Sequence, residues 1–585
     1  MASRTSLDHG RGDPEKTIFS SSAQDVSSEN ETTTPEDHTQ VGIRQVEAIT
    51  MVWSRKTLFI ACALIWLVYF IMLLQQSCAT TLNPFVTSAF QQHSLTPTVL
   101  IVSGIIGGVC NLIVAKVLDV FGRVQGYAAA LVMATLGLIM MAATRSVEMY
   151  AAAQVFWTVG STSLFYTISI LVADLSDLRN RALVNALAAS PNMITVWVAA
   201  PVAEGFLNGP GWEWCFGALS VIVPFTCLPL LVLLVINYRK AKKLGKIPTA
   251  ASEAAARPGL PILSSLGYYA REFDAVGLLL LAGGLVMILL PFNLWGLQPQ
   301  GWASPLIICL IVFGVVSVIL FGVWERFFAP INFIPFSLIK DRNMIGAILL
   351  CLGLFISYGA WISFFSSFLM VVHDLSVTEA NYVSQGYNVL SSIFCILTGL
   401  FIRYTGRFKP VTLYVGIPVY ILGTGLMIHF RQPDMNVGYL IMCQMFIAAS
   451  GGILMTTPQL AAMAVSSHQQ VAVVMAIVSM FSSIGSSVGA TVAGAIWQSV
   501  FPVKLAEYLP EEELANLAMI YGDIMTQVSY PVGSPTRIAI QRAYGDAQAL
   551  MVAVATGVWV VGIVGVAMWR NIDVRTVKTL KGEVF

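Results

Sequence analysis

Two short stretches decide the fold: AKVLDVFGRVQG, residues 115–126, and GLFIRYTGRFKP, residues 399–410. Aligning Asp119 with Arg403 brings Gly122 onto Gly406 and Arg123 onto Arg407 at identical spacing. Each stretch separates two long apolar runs. The Gly permits a tight turn with close helix approach. The Arg is placed to pair with a carboxylate or with the negative end of a helix. The same turn occurring twice, in the same setting, argues for an internal repeat.

The rest of the chain is read outward from these turns. A membrane-spanning helix needs ~20 mostly apolar residues. Fourteen runs qualify: 57–76, 96–115, 125–144, 149–172, 183–206, 215–237, 275–294, 304–324, 345–371, 379–402, 411–430, 437–456, 470–500 and 547–569. They are too long and too uniformly apolar for the alternating strands of a β-barrel. The first stretch follows run two and the second follows run ten. Runs 1–6 and 9–14 therefore read as two six-helix halves, with runs 7 and 8 inserted between them.

Composition agrees with an all-α polytopic membrane protein. Of 585 residues, 56% are hydrophobic and 11% charged, with a net charge of +1; soluble domains carry ~25% charge. This excludes a soluble enzyme, a disordered chain and a basic nucleic-acid binder. The nine Cys show no CxxC and no metal-type spacing, so they read as apolar filler and no metal or cofactor is expected. With the N-terminus placed in the cytosol, 27 of the 32 Lys and Arg fall on the cytosolic side. The positive-inside rule then puts both termini there. No Lys or Arg lies within a run, which argues against a voltage sensor, a retinal-type pump or an anion channel.

The expected organisation is a disordered cytosolic tail (1–50), an N-terminal half (57–237), a cytosolic linker (238–274), two inserted helices (275–324), a C-terminal half (345–569) and a cytosolic tail (570–585). The C-terminal half contains a long extracellular loop, 501–546. Within it, a short amphipathic helix is expected to begin after Pro510 and end at Gly522.

The first stretch resembles the major facilitator signature G-x-x-x-D-x-x-G-R-[RK]. Asp119, Gly122 and Arg123 match; Ala115 and Val124 depart from it. Further stretches resemble the fungal siderophore–iron transporters, a fourteen-span branch of that superfamily. They include YAAAQVFWTVGSTS (150–163), ADLSDLRNRAL (173–183), GPGWEWCFGA (209–218), VTEANYVSQGY (377–387), SHQQVAVVMAI (467–477) and SYPVGSPTRIAIQRAYGDAQAL (529–550). Ser169 stands where members often carry a carboxylate, and Gln154 where drug-efflux relatives carry an Arg. The resemblance implies the major facilitator fold, 14 spans, and proton-driven import of an iron-loaded siderophore, of hydroxamate type. The alternative is a proton-coupled exporter of a drug, toxin or other metabolite. The expected partners are the siderophore, protons and the bilayer. The protein is expected to be a monomer in the plasma membrane, with an endosomal or vacuolar membrane as the alternative.

Charge narrows the candidate residues. Asp119, Gly122, Arg123, Asp174, Arg403, Gly406 and Arg407 form the candidate gate. Glu204, the clearest acid inside a run, and Asp174 are the proton-coupling candidates, because a desolvated carboxyl exchanges protons nearer neutral pH. The fold implied by the resemblance puts helices 1, 4, 9 and 12 at the centre. That nominates Gln76, Gln154, Trp157, Tyr166, Tyr358, Trp361 and Gln444, with Tyr382 and Tyr387 from helix 10. Aromatic walls with neutral hydrogen-bonders suit a bulky, nearly neutral chelate. Tyr530, Arg537 and Tyr544 are the recognition candidates in the outer loop, which the resemblance implicates in capturing the siderophore.

Overall fold

A computed structural model describes residues 55–90, 96–174, 184, 187–244, 271, 274–329, 340–466 and 471–575. The expected tail (1–50), most of the linker, and Arg179 and Arg181 lie outside this set. Fourteen helices organise the described chain. They are α1 (Arg55–Ala89), α2 (Thr96–Phe121), α3 (Arg123–Ala142), α4 (Val147–Asp174), α5 (Asn192–Leu207), α6 (Trp212–Lys243) and α7 (Ala275–Leu289), followed by α8 (Pro305–Phe327), α9 (Arg342–Ile362), α10 (Val377–Thr405), α11 (Ile417–Phe430), α12 (Val437–Met463), α13 (Val471–Tyr508) and α14 (Pro535–Gly557). A second segment, Phe365–Val372, continues α9, and Trp559–Met568 continues α14. No strand occurs among the described residues beyond one isolated bridge, Arg407 to Asp573.

Among the described residues twelve helices are long and apolar enough to cross a membrane; two further apolar stretches are Ile101–Asn111, inside α2, and Asn192–Leu207, which is α5. Helix α5 starts later than its apolar run suggests. Residues 189–191 form a turn, and Pro191, which offers no N–H to a preceding carbonyl, stands at its N-cap. Elsewhere the ends follow local chemistry. Ser376 and Glu379 form a capping box that starts α10, and Ser534 caps α14 ahead of Pro535 at its first position.

The helix contacts repeat with an offset of eight. Pairs α1–α5, α2–α4, α3–α4 and α3–α6 recur as α9–α13, α10–α12, α11–α12 and α11–α14. The two sets meet at α2–α13 and α5–α10, which are images of each other under the same offset. Close approach depends on glycine: a Cβ on Gly489 would lie 2.3 Å from the carbonyl oxygen of Ile356, so α13 and α9 touch backbone to backbone. The inserted pair α7–α8 packs on α2 through α7, while α8 leaves most of its apolar surface exposed. Positive side chains, among them Arg123, Lys243, Arg342 and Arg407, collect at one end of the helices, called here the basic end. The segment between Tyr508 and Pro535 marks the other, the loop end.

Candidate functional site: a neutral cavity between two seams

A cavity of ≈ 310 Å³ lies in the basic-end half of the bundle. Its wall is contributed by five helices: Tyr69 from α1; Thr162, Phe165, Tyr166 and Ser169 from α4; Cys351 and Phe355 from α9; Leu454, Met455, Pro458 and Gln459 from α12; and Met475, Val478, Ser479 and Ser482 from α13. None of these residues is Asp, Glu, Lys, Arg or His. The cavity therefore offers aromatic faces, hydroxyls and one amide without a fixed charge. This chemistry suits an uncharged organic ligand that carries its own polar groups, at the lower end of the ~300–1,000 Å³ usual for such sites.

Toward the loop end the two halves close over this space. On the α2–α13 seam, Gly104 faces Ser487 and Gly108 faces Ser483, while level with the cavity Asn111 Nδ2 donates to Ser479 Oγ at 3.0 Å. On the α5–α10 seam, Thr378 Oγ1 donates to the Glu204 carboxylate. Tyr382 packs its ring 5.2 Å from that of Trp197 and donates to its carbonyl at 3.4 Å. Thr81 of α1 donates to Asn381 Oδ1 of α10 at 3.0 Å. The structure is closed at the loop end, with its cavity at the basic end.

The site candidates divide accordingly. Tyr166 lines the cavity, as does Ser169. Gln76 is exposed; its neighbour Gln75 is the buried amide. Gln75 Nε2 donates to Ser161 Oγ at 3.3 Å, beside cavity residue Thr162, while Gln75 Oε1 has no partner. One residue is a rotation of about 100° on a helix, enough to move an amide from the interior to the outside. Gln154 is buried and bonded to Tyr150, and Gln444 is buried with an unpartnered Nε2; neither touches the cavity. Trp157 is buried where α3 meets α4: a Cβ on Gly137 would stand 2.3 Å from its backbone nitrogen. Tyr358, Trp361 and Tyr387 form one aromatic cluster, with centroids 5.6–6.1 Å apart, beside the cavity and not lining it.

The gate turns hold up as geometry. Gly122 (φ 95°) and Gly406 (φ 71°) both adopt positive φ, and each donates its N–H to the carbonyl four residues earlier, Leu118 and Ile402. The two arginines then differ. Arg123 is buried and donates to the Leu118 carbonyl at 3.0 Å, at the negative end of α2. Arg407 is exposed, and its backbone forms an isolated antiparallel β-bridge with Asp573, in the segment after α14. There Arg575 donates to Asp573 at 2.6 Å, and its guanidinium, helped by the charge of Arg407, holds the Asp573 carboxyl down at about 2. Arg403 lies half-buried in the last turn of α10. Asp119 and Asp174 fall in the last turns of α2 and α4, and their side chains lie outside the described set.

The loop candidates require correction. Arg537 and Tyr544 were expected to present donors and a ring to the outside, but both side chains are fully buried. Arg537 donates to the carbonyls of Val371 (2.9 Å), Gln527 (2.7 Å) and Met370 (3.3 Å) and pairs with Asp374 at 3.2 Å. Tyr544 donates to Gln527 Oε1 at 2.8 Å and packs edge-on against Trp497 and Phe501. Tyr530 donates to Glu513 at 3.0 Å. The loop is a folded cap whose polar groups serve the end of α9. Its expected helix begins as a 3-10 segment, Glu511–Asn516, and becomes α-helical at Leu517–Gly522. Sequence reasoning also passed over Arg431. It is fully buried, donates to the Trp361 carbonyl at 2.7 Å, and stacks over Phe365 at 4.4 Å. Burial pushes its guanidinium well below its usual value.

Among the described residues no three His, Cys, Asp or Glu gather as metal ligands. The Major Facilitator Superfamily model matches residues 65–490. An MFS siderochrome iron transporter 1 of Ajellomyces capsulatus is 48% identical over 93% of this chain and 92% of its own length. The chain belongs to the major facilitator superfamily, in its fungal siderophore–iron transporter family. The siderophore iron transporter mirB of Emericella nidulans is 40% identical over 94% of this chain and 90% of its own. The MFS siderochrome iron transporter B of Aspergillus fumigatus is 39% identical over 95% and 89%. Among solved structures, a bacterial homologue of the human lysosomal transporter Spinster superposes with a TM-score of 0.52 at 14% identity, covering 88% of this chain and 98% of that one, which supports the fold. The chain is accordingly a multi-pass membrane transporter and not an enzyme.

Proposed function

We infer that this transporter imports ferric siderophore chelates of the hydroxamate type by proton symport, working by alternating access. The observation that carries the reading is the cavity. It lies between the two halves, has Tyr69, Phe165, Tyr166 and Phe355 in its wall, and has no carboxylate or cation among its described lining residues. A loaded hydroxamate chelate hides its iron inside its own oxygens. What remains is a nearly neutral surface of amides and methylenes, which such a wall can hold. The named relatives transport siderochromes or siderophores, in agreement with this reading.

In this reading the chain crosses the membrane fourteen times, with α2 and α5 completing the twelve longer apolar helices. The basic end and both termini face the cytosol, and α1–α6 and α9–α14 rock about the cavity as two halves joined by the 238–274 linker. The structure then corresponds to the state closed to the outside. The protein works as a monomer in the plasma membrane. Gly122 and Gly406 set the cytosolic turns of the gate, where Arg123 and Arg407 hold helix ends and the C-terminal segment. The test is binding of a ferric hydroxamate to the purified protein, with the iron-free chelator and ferric citrate as controls. Selective binding that weakens in Tyr166→Ala supports the reading; equal binding of all three, or of none, contradicts it.

A further inference from the structure

A proton-driven importer needs a group that takes up a proton from outside, and the described lining residues of the cavity include no carboxylate or imidazole to do so. The two seams that close the loop end are related by the internal repeat, yet they differ in one respect. The close contacts named on the α2–α13 seam set Gly104, Gly108 and Asn111 against Ser487, Ser483 and Ser479, and none of these six is a carboxylate. The α5–α10 seam carries Glu204, whose carboxylate receives the Thr378 hydroxyl from the opposite half. Asn381 and Tyr382, one turn along α10 from Thr378, bond to Thr81 and to the Trp197 carbonyl. A single face of α10 thus makes these three polar contacts, and Glu204 is the one carboxylate among its partners.

We propose that Glu204 and Thr378 form a proton-operated latch of the outer gate: protonation of Glu204 from outside loosens the α5–α10 seam and opens the loop end to substrate. The proposal rests on the proton-symport reading and assigns the coupling to the gate rather than to the substrate cavity. A hydrogen bond to an ionised carboxylate is roughly twice as strong as one between neutral groups. Adding the proton therefore weakens the tie across the seam. Glu204 is half-buried, close enough to the surface to meet outside water. The titratable groups at this end of the packed elements are Glu379 and Tyr382 on α10, Cys78 on α1, and Glu213 and Cys215 on α6. Glu379 is tied to Ser376 in the capping box, Tyr382 to Trp197, and Cys78 to the Ala199 carbonyl, while Glu213 is exposed. The Lys and Arg of α1, α6 and α10 all stand at the basic end, and α5 has none. No Lys or Arg of these helices therefore stands beside the Glu204 carboxylate.

The latch is tested without substrate. Ser384 is buried on α10, inside the closure. A Ser384→Cys chain in intact cells is labelled with a membrane-impermeant maleimide, against the parent chain as background, while external pH is lowered from neutral to mildly acid. Labelling should rise severalfold with acid in S384C. It should be high and independent of pH when Glu204→Gln is added. Thr378→Val should also raise labelling at neutral pH, and Thr378→Ser should restore the low level. A flat profile in S384C, or an unchanged pH response in E204Q, overturns the latch. Ferric siderophore uptake in the same cells separates the two ideas. Acid-driven labelling without uptake contradicts the import reading and keeps the latch, whereas uncoupler-sensitive uptake that is normal in E204Q removes the latch and keeps import.

Discussion

Gly122 and Gly406 end α2 and α10 each with positive φ and each with its N–H on the carbonyl four residues back, although ψ differs, 163° against −3°. Only glycine takes this geometry without strain, and a side chain there costs ~1–3 kcal/mol. At Gly406 a Cβ would in addition stand 2.0 Å from Asp573 Oδ1. Gly406→Ala and Gly122→Ala should therefore each lower the unfolding temperature of the detergent-purified protein. Equal and negligible shifts would show that the turns relax.

Arg537 makes its hydrogen bonds to the end of α9 and to the loop, with no surface exposed. Removing it leaves the carbonyls of Val371 and Gln527 without that donor, at ~1–3 kcal/mol for each group left buried and unpaired, and the exposed Asp374 without its cation. Arg537→Ala should reduce folded protein at the membrane and lower thermal stability. Transport by the surviving molecules should keep its Michaelis constant. A raised constant with unchanged stability would return Arg537 to substrate recognition.

Gln75 and Gln76 should respond oppositely. Gln75 Oε1 is buried without a partner, next to Ser161 at the closed side of the cavity. In Gln75→Leu an unpaired carbonyl disappears, so stability should hold or rise. If that carbonyl receives a substrate donor during transport, losing ~1 kcal/mol there raises the apparent Michaelis constant roughly fivefold. Gln76→Leu, at an exposed site, should change stability by less than about 0.5 kcal/mol and leave uptake alone. Uptake kinetics and melting curves of the two variants decide the matter, and identical behaviour would contradict the placement.

The segment after α14 is tied back by Asp573. Its carboxyl is held at about 2 by Arg575, with Arg407 adding to the effect, and Val574 N–H bonds the Gly406 carbonyl at 2.9 Å. Because this pKa lies below the ordinary value, the tie is fully present above that ordinary value, near 4, and fades as pH falls through about 2. Amide exchange at Val574 should therefore be slow and insensitive to pH changes around neutrality, once the intrinsic exchange rate is divided out. Asp573→Asn should make it fast. Fast exchange in the parent would mean that the segment is not docked.

How much of this was legible in the sequence follows from which quantity each feature depends on. The Gly122 and Gly406 turns were legible because spacing and residue type alone specify them. The helix order was legible because long apolar runs have few alternatives. The phase of a helix was harder: choosing Gln76 over Gln75 is an error of one position, and α1 is apolar on most sides, so its pattern does not announce which face turns inward. Tyr544 and Arg537 show the other limit. Their chemistry suits recognition, but it equally suits capping the carbonyls of a helix that breaks after Ile362. Only the tertiary fold reveals that break. The share of α13 in the cavity, through Ser479 and Ser482, was hidden among serines that elsewhere on the helix meet α2. The repeated hydroxyl facing glycines across the seam was the signal to follow.

The central claim is proton-driven import through a neutral cavity. Its most direct test is accumulation of radio-iron supplied as a ferric hydroxamate to fungal cells that lack their own siderophore transporters and express this chain at the surface. The account predicts accumulation above the outside concentration, abolished by an uncoupler and slowed in Tyr166→Ala at equal surface expression. No accumulation by correctly localised protein, or accumulation that persists when the proton gradient is collapsed, would contradict it.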